Sequence, residues 1–191
     1  ELQLGGATAR ESSDSGPLTF FALALDARGK PIPVLHSDVS FALFLQDPPA
    51  GMLAQVVASI MRPFPAGLVT DAGLLVANPV HASEAVRRAF DRNAYHGTVT
   101  WSWQQALLAA GLERQLARSD LPAPVLAQLR TARARLGEII QGTRELRTSE
   151  LWSWRYDAGR FHAVPFGQRA GDADESNAAQ LWSSVYLAIP V

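Results

Sequence analysis

The stretch that decides the fold runs from residue 95 to residue 105 and reads Tyr-His-Gly-Thr-Val-Thr-Trp-Ser-Trp-Gln-Gln. It is followed at once by Ala-Leu-Leu-Ala-Ala-Gly-Leu at 106–112, an apolar run typical of a buried helix. A tight loop therefore delivers two tryptophans and two amides to the first turn of that helix. Indole faces allow stacking, and glutamine and histidine supply hydrogen bonds. The combination indicates a site for a sugar, although Trp101 and Trp103 could equally fill a core.

This stretch carries a family resemblance. Residues 95–98 and Trp101 resemble the Tyr-His-x-Gly-Thr/Ser-Val-Trp-Pro loop of the amylo-alpha-1,6-glucosidases, glycoside hydrolases of the glycogen-debranching type. The helix from Gln105 to Arg114 is similar to that family's Asn-Ala-Leu-Ile-Ala-Ala-Gly-Leu-Ala-Arg helix. The loop is one residue shorter here, its asparagine is absent, and Ser102 stands where proline is usual. The resemblance implies an all-α fold, part of an α/α six-hairpin toroid, with a small N-terminal β-hairpin.

The chain's composition limits the classes of partner. It has 191 residues, 48% of them hydrophobic and 18% charged, with a net charge of −1. A net charge this close to zero argues against a nucleic-acid partner. No apolar run approaches the roughly twenty residues of a membrane span. With no cysteine, disulfides and thiolate chemistry are excluded. The four histidines lack ligand spacing, so no metal site and no cofactor are expected.

Local patterns predict the order of the elements. Residues 7–17 are rich in Ser, Gly and Asp, so we expect 1–17 to be a flexible connector and 18–191 the toroid portion. Turn residues at 26–31 between two apolar runs predict the hairpin. Helices are then predicted at 38–45, with Ser37 as N-cap, and at 51–61, 83–90 and 100–118. Another helix is predicted to start at residue 120. The Gly- and Pro-rich segment 64–79 between the second and third helices is expected to be an extended rim loop.

The last forty or so residues change character. Residues 150–161 follow a period of two with a turn at 157–159, which predicts a loop or small hairpin rich in aromatic residues. A final apolar helix is expected from Glu175, with Ser176 as its N-cap. Its Gln180-Leu181-Trp182-Ser183 resembles the Pro-Gln-Ala-Trp-Ser close of several six-hairpin glycosidases.

Glycoside hydrolysis requires two carboxyl groups. Glu150-Leu151-Trp152 resembles the family's Pro-Glu-Leu-Phe, and the resemblance makes Glu150 the general base of an inverting reaction. Glu175 is the second candidate, although a glutamate just before a helix can simply favour the helix dipole. Because about six or seven helices are predicted where a closed toroid needs twelve, the chain is interpreted as a C-terminal half, and the general acid is assigned to a missing N-terminal half.

The sequence therefore predicts a glycogen-debranching or α-glucosidase-like hydrolase acting on an oligosaccharide or polysaccharide, with the N-terminal half of the same protein as its structural partner. The predicted sugar-binding residues are Tyr95, His96, Trp101, Trp103, Gln104, Trp152, Gln180 and Trp182. Two other classes remain open at this point. One is a non-catalytic carbohydrate-binding module that kept the aromatic platform, and the other is a structural helical domain with tryptophans in its core.

Overall fold

A computed structural model describes residues 18–167, 176 and 179–188. The predicted connector, residues 1–17, and the candidate carboxylate Glu175 lie outside these ranges. The described residues form five α-helices, nine short β-strands and two 3₁₀ segments. The helices are α1 (Val39–Leu45), α2 (Ala50–Ile60), α3 (Glu84–Ala89), α4 (Ser102–Leu116) and α5 (Ala123–Gly142). The 3₁₀ segments are Arg144–Leu146 and Leu181–Ala188.

The strands pair into four small antiparallel sheets. They are β1 (Ala24–Leu25), β2 (Pro31–Ile32), β3 (Leu35–His36), β4 (Val69–Thr70), β5 (Gly73–Leu74), β6 (Ala77–Asn78), β7 (Thr100–Trp101), β8 (Leu151–Asp157) and β9 (Arg160–Pro165). β1 pairs with β2, β3 with β6 and β4 with β5, and β7, β8 and β9 form a three-stranded sheet in that order.

The prediction of an all-α toroid portion is wrong. The described chain is mixed α and β, and α4 and α5 contact strands as well as other helices. The segment 64–79, expected to be an extended rim loop, holds three strands, and residues 66–70 and 72–80 are buried. The period-two segment forms the predicted small hairpin, β8 and β9, and β8 also pairs with β7.

The buried segment is held by side-chain amides that replace missing strand partners. Asn78 donates from Nδ2 to the carbonyl oxygens of Pro65 and Gly67, at 2.9 and 2.8 Å. The Gln105 Oε1 atom on α4 accepts a hydrogen bond from the Leu74 backbone N–H at 2.9 Å. Buried backbone groups must find partners, and a proline- and glycine-rich segment cannot find them all in a regular ladder. These two amides let the segment pass through the interior.

Four of the helices pack around the larger of two apolar core clusters. α4 packs on α1 and on α5, and α5 also packs on α2. Gly111 permits the close approach of α1 to α4, because a Cβ atom there would lie 3.0 Å from the Leu43 Cβ atom. Fully buried leucines fill the space between the layers, among them Leu53, Leu68, Leu108, Leu112, Leu129 and Leu136. α4 is therefore the central helix, as its apolar sequence predicts.

Several local predictions hold, and others shift. The hairpin turn is present, with Gly29 at φ 75°. Ser83 caps α3 through a 3.5 Å hydrogen bond from Val86 N–H. The predicted cap at Ser37 is wrong: the hydroxyl lies 3.4 Å from the Val76 carbonyl oxygen, and the cap position is Asp38. Of the predicted final helix, residues 181–188 form a 3₁₀ segment, and its predicted start at Glu175 lies outside the described residues.

The three-stranded sheet brings distant parts of the chain together. In the β7–β8 register Trp101 faces Leu151 and Thr100 faces Trp152. The loop that ends at Trp101 therefore lies beside Glu150, the residue just before β8. The turn to β9 is made by Ala158 at φ 48° and Gly159 at φ 80°, as the sequence predicts.

No helix among the described residues is both long and apolar enough to cross a membrane.

Candidate functional site

The loop before β7 is folded tightly by backbone hydrogen bonds. Gly97 N–H donates to the Ala94 carbonyl oxygen at 2.9 Å, and Thr98 N–H donates to the Asp91 carbonyl oxygen at 3.0 Å. A Cβ atom at Gly97 would lie 2.0 Å from that same Asp91 oxygen, so only glycine fits. The bend sets the side chains of Tyr95 and His96 against Trp101.

These three rings, with Trp103, form one aromatic cluster. The His96 imidazole stacks on the Trp101 indole, with centroids 5.2 Å apart and planes 18° apart. Tyr95 meets the same indole edge-on at 4.9 Å, and Trp103 meets it edge-on at 5.9 Å. The Trp101 Nε1–H donates to the Tyr95 carbonyl oxygen at 3.1 Å, so the indole cannot rotate. Edge-to-face geometry is a favourable arrangement for aromatic rings.

Trp182 extends the cluster from the other end of the chain. It lies 6.3 Å from Trp103, centroid to centroid, and is 68% exposed. Its 3₁₀ segment is tied down by polar bonds: Ser102 Oγ donates to Ser149 O at 2.7 Å, and Ser183 Oγ donates to the same oxygen at 2.9 Å. An exposed indole on a fixed backbone is suited to stacking with a ligand.

Glu150 lies beneath this cluster and is 3% exposed. Its Oε1 atom accepts a hydrogen bond from the Tyr95 hydroxyl and a second from Gln180 Nε2, the latter at 2.6 Å. A buried carboxylate needs such donors, because an uncompensated charge in the interior costs several kcal/mol. The predicted base therefore contacts two of the predicted sugar-binding residues, Tyr95 from the loop before β7 and Gln180 from just before the last 3₁₀ segment.

A first hollow of about 600 Å³ opens beside the cluster, and we call it the apolar hollow. It is lined by Phe41 and Phe44 of α1, Trp101, Trp103, Ala106, Leu107 and Ala110 of β7 and α4, and Gln180, Trp182 and Val185. Gln180 connects it to Glu150, since its amide both lines the wall and donates to that carboxylate. Among the described residues that line it, none is a carboxylate.

A second hollow of about 580 Å³ lies on the other side of Trp101 and Trp103, and we call it the polar hollow. Four polar side chains reach it from separate elements: His36, Asp38, His96 and Gln104. Gln104 Nε2 donates to Asp38 Oδ1, and His36 Nδ1 lies 3.6 Å from Asp38 Oδ2. The nearby His36 imidazole and, more weakly, the hydrogen bond from Gln104 hold the pKa of Asp38 below its usual value, against partial burial.

The structure brings seven of the eight predicted sugar-binding residues to one region, where each lines a hollow or contacts Glu150. Trp152 is the exception. It is 1% exposed, and its Nε1–H donates to the Ala72 carbonyl oxygen at 2.6 Å, so it is part of the interior and not of a hollow. Trp154 is likewise buried, with its Nε1–H on the Thr98 carbonyl oxygen at 2.7 Å.

Two residues of the polar hollow escaped the sequence prediction. Asp38 begins the predicted helix 38–45, and His36 precedes it by two positions, but neither was assigned to the site. Their proximity to Gln104 depends on the packing of α1 on α4, which no local pattern encodes. Among the described residues, no three His, Asp or Glu side chains are grouped to hold a metal ion.

The chain matches no protein-family model and no curated protein sequence.

Proposed function

We propose that this chain carries the sugar-binding and general-base part of a glycoside hydrolase of the glycogen-debranching or α-glucosidase type. One observation supports it above the others. Glu150, a buried carboxylate, accepts hydrogen bonds from Tyr95 and from Gln180, and Gln180 lines the aromatic-walled apolar hollow. Buried, hydrogen-bonded carboxylates beside a hollow are typical of sites that use them chemically.

The hollows suit a sugar. A pyranose ring presents apolar C–H faces and a rim of hydroxyl groups, so its sites combine flat aromatic faces with a few hydrogen-bonding groups. Trp103 and Trp182 supply the faces, and both border the apolar hollow. Gln180 supplies an amide at the same wall. A volume of about 600 Å³ is large enough for a ligand of this size.

In the proposed reaction, Glu150 acts as the general base. It removes a proton from a water molecule, whose oxygen forms a bond to the anomeric carbon while the bond from that carbon to the leaving oxygen breaks. The attack comes from the face opposite the leaving group and inverts the configuration. Tyr95 and Gln180 stabilise the ionised carboxylate and fix its orientation. The Gln180 amide has to turn away from Glu150 to admit the water, since the carboxylate is 3% exposed beneath it.

The leaving oxygen requires a proton from a second carboxyl group. The described residues lining the apolar hollow include none, so the acid is assigned to another segment of the same protein. The surface favours such a neighbour. Phe41, Phe44, Leu181 and Trp182 are all exposed around the apolar hollow or next to it, and a contiguous apolar patch marks an interaction surface.

The second candidate is a non-catalytic carbohydrate-binding module. It is favoured by the same missing carboxylate, because stacking and hydrogen bonding need no acid. The two functions differ in one measurable respect. Both predict that gluco-oligosaccharides quench the fluorescence of Trp103 and Trp182, but only the hydrolase predicts turnover that depends on Glu150.

The test uses the complete protein, because the general acid is assigned to another segment. It compares wild type with Glu150→Gln, which keeps the shape of the side chain, and with Glu145→Gln, an exposed glutamate in the preceding 3₁₀ segment, as control. Binding is read from tryptophan fluorescence and hydrolysis from released sugar, with the product anomer identified by NMR. We expect Glu150→Gln to bind normally and to lose hydrolysis, and the control to behave as wild type. Unchanged hydrolysis by Glu150→Gln would reject the general base. Binding without hydrolysis by wild type would favour the binding module.

A further inference from the structure

The polar hollow holds the groups that the apolar hollow lacks. Asp38 stands at the N-cap position of α1, His36 on β3, Gln104 in the first turn of α4 and His96 in the loop before β7. Four separate elements therefore converge on one cavity of about 580 Å³. Its remaining wall is apolar and aromatic, from Leu23, Phe41, Val76, Ala77, Phe90, Trp101 and Trp103.

Two of these polar groups retain hydrogen-bonding capacity. Both ring nitrogens of His36 are buried without a hydrogen-bond partner, and the nearest acceptor, Asp38 Oδ2, is 3.6 Å from Nδ1. The Asp38 side chain is half exposed. An unpartnered buried polar atom is costly, and sites that bind polar ligands are where such atoms are found. A ligand in the polar hollow would satisfy them.

The charges in the hollow restrict the ligand. No lysine or arginine is among the described residues that line it, and Asp38 carries a negative charge at neutral pH, which disfavours an anionic ligand. A neutral polyhydroxylated ligand fits: its hydroxyl groups can donate to the Asp38 carboxylate and bond the His36 Nε2 atom, while its C–H face rests on aromatic rings. Since a carboxylate is acceptor-only, it can take hydroxyl protons from two adjacent positions of one ring.

We propose that the polar hollow is the sugar-recognition pocket, with Asp38 as the hydroxyl acceptor and Gln104 as the residue that positions it. This rests on the proposed function for the class of ligand, but not on hydrolysis. Gln104 fixes the carboxylate through its Nε2–H, and His36 bounds it from the other side. Trp103 borders both hollows, so a ring bound in the polar hollow is separated by this indole from the apolar hollow, where Gln180 leads to Glu150.

Asp38→Asn is the principal test, because asparagine can still accept the bond from Gln104 and only the charge is lost. Asp47→Asn is the matched control: this carboxylate pairs with Arg114, at 2.7 Å, and lines neither hollow. Glucose and maltotriose binding are measured by isothermal calorimetry. We expect Asp38→Asn to weaken binding at least about tenfold, because hydrogen bonds to a charged acceptor are the strong ones, and Asp47→Asn to leave it unchanged.

Leu23→Trp provides a second variant should Asp38→Asn fold poorly, because it narrows the hollow from a half-buried wall position without changing charge. It too is expected to weaken sugar binding about tenfold. Wild-type affinity for sugar in both variants would overturn the proposal. Binding of choline in preference to glucose would also overturn it, because an aromatic hollow with one carboxylate can hold a cation instead of a sugar.

The failure of this pocket is distinguishable from failure of the proposed function. Weak binding by Asp38→Asn with unchanged hydrolysis by Glu150→Gln keeps the pocket and rejects the general base. Normal binding by Asp38→Asn with lost hydrolysis by Glu150→Gln rejects the pocket and keeps the general base.

Discussion

The Tyr95 hydroxyl donates a hydrogen bond to the Glu150 carboxylate, joining residues 55 positions apart in the chain. Tyr95 lies in the loop that leads to Trp101. Trp101 pairs with Leu151, the residue after Glu150, in the β7–β8 ladder. The loop therefore contacts the segment around Glu150 in two ways, through the Tyr95 side chain and through the backbone pairing of β7 with β8. The bond is the first feature to probe.

Tyr95→Phe removes this donor and leaves the ring. We expect a loss of about 1–3 kcal/mol in the free energy of unfolding, because the buried carboxylate loses one of its partners, and a clear drop in any turnover that uses Glu150. Urea denaturation and steady-state kinetics measure the two effects. Tyr156→Phe, on an exposed tyrosine of β8, is the control. Equal stability of Tyr95→Phe and wild type would show that the bond does not hold the carboxylate.

Gly97→Ala tests the bend of the loop. Its new Cβ atom would lie 2.0 Å from a backbone oxygen, so the loop must move, and we expect destabilisation of about 1–3 kcal/mol together with weaker sugar binding. Gly51→Ala, in the first turn of α2 with open space around it, should instead be neutral or stabilise by up to about 1 kcal/mol. Thermal unfolding compares the pair. Tolerance of Gly97→Ala would remove the packing argument for this glycine.

A tryptophan buried in the interior and a tryptophan that lines the hollows should respond differently to substitution. Trp152→Phe loses a buried hydrogen bond to Ala72, so we expect a stability loss of about 1–3 kcal/mol with unchanged sugar affinity. Trp103→Ala loses a wall of both hollows, so we expect at least about tenfold weaker binding. Calorimetric titration and urea denaturation of both variants separate the effects. Weaker sugar binding by Trp152→Phe would show that Trp152 does contribute to the sugar-binding site.

His81 should make stability sensitive to acid. Burial lowers the pKa of His81, and a hydrogen bond with the Ala66 backbone only partly offsets this. The unfolded state therefore binds a proton at higher pH than the folded state does. Its contribution to stability is complete above the unfolded pKa of about 6.5 and falls as the pH decreases below it.

The measurement is the free energy of unfolding from pH 8 to pH 5 for wild type and His81→Phe, which keeps an aromatic ring beside Phe20. We expect the wild-type curve to fall more steeply on the acid side. The other three histidines are present in both proteins, so the difference between the curves isolates His81. Parallel curves would mean that His81 titrates as it does in the unfolded chain.

The sequence predicts the helices well because their apolar periodicity is local. α2 and α3 begin and end within a few residues of the predicted bounds, α5 begins close to its predicted start, and the turns at Gly29 and Gly159 are where glycine indicates them. The fold class was wrong because the decisive strands are two residues long. Such strands exist only through partners elsewhere in the chain, as β3 does through β6, and no local pattern marks them.

The site was predicted in part for the same reason. Tyr95, Trp101 and Trp103 lie within one loop and helix start, so their convergence is local. Trp152 was misplaced because residues 151–154 of β8 are buried on both faces, so alternation along the strand does not distinguish a site residue from a core residue. Asp38 was missed because its place beside Gln104 comes from helix packing alone.

The central claim, that Glu150 is the general base beneath the apolar hollow, is tested most directly with α-glucosyl fluoride. Fluoride leaves readily, so the hydrolysis rate depends on the base and little on the acid. The measurement is the rate of fluoride release at saturating substrate by wild type and by Glu150→Gln. The account predicts a rate lower by about 100- to 10,000-fold in the variant, with β-glucose as the first wild-type product. Equal rates in the two proteins would contradict it.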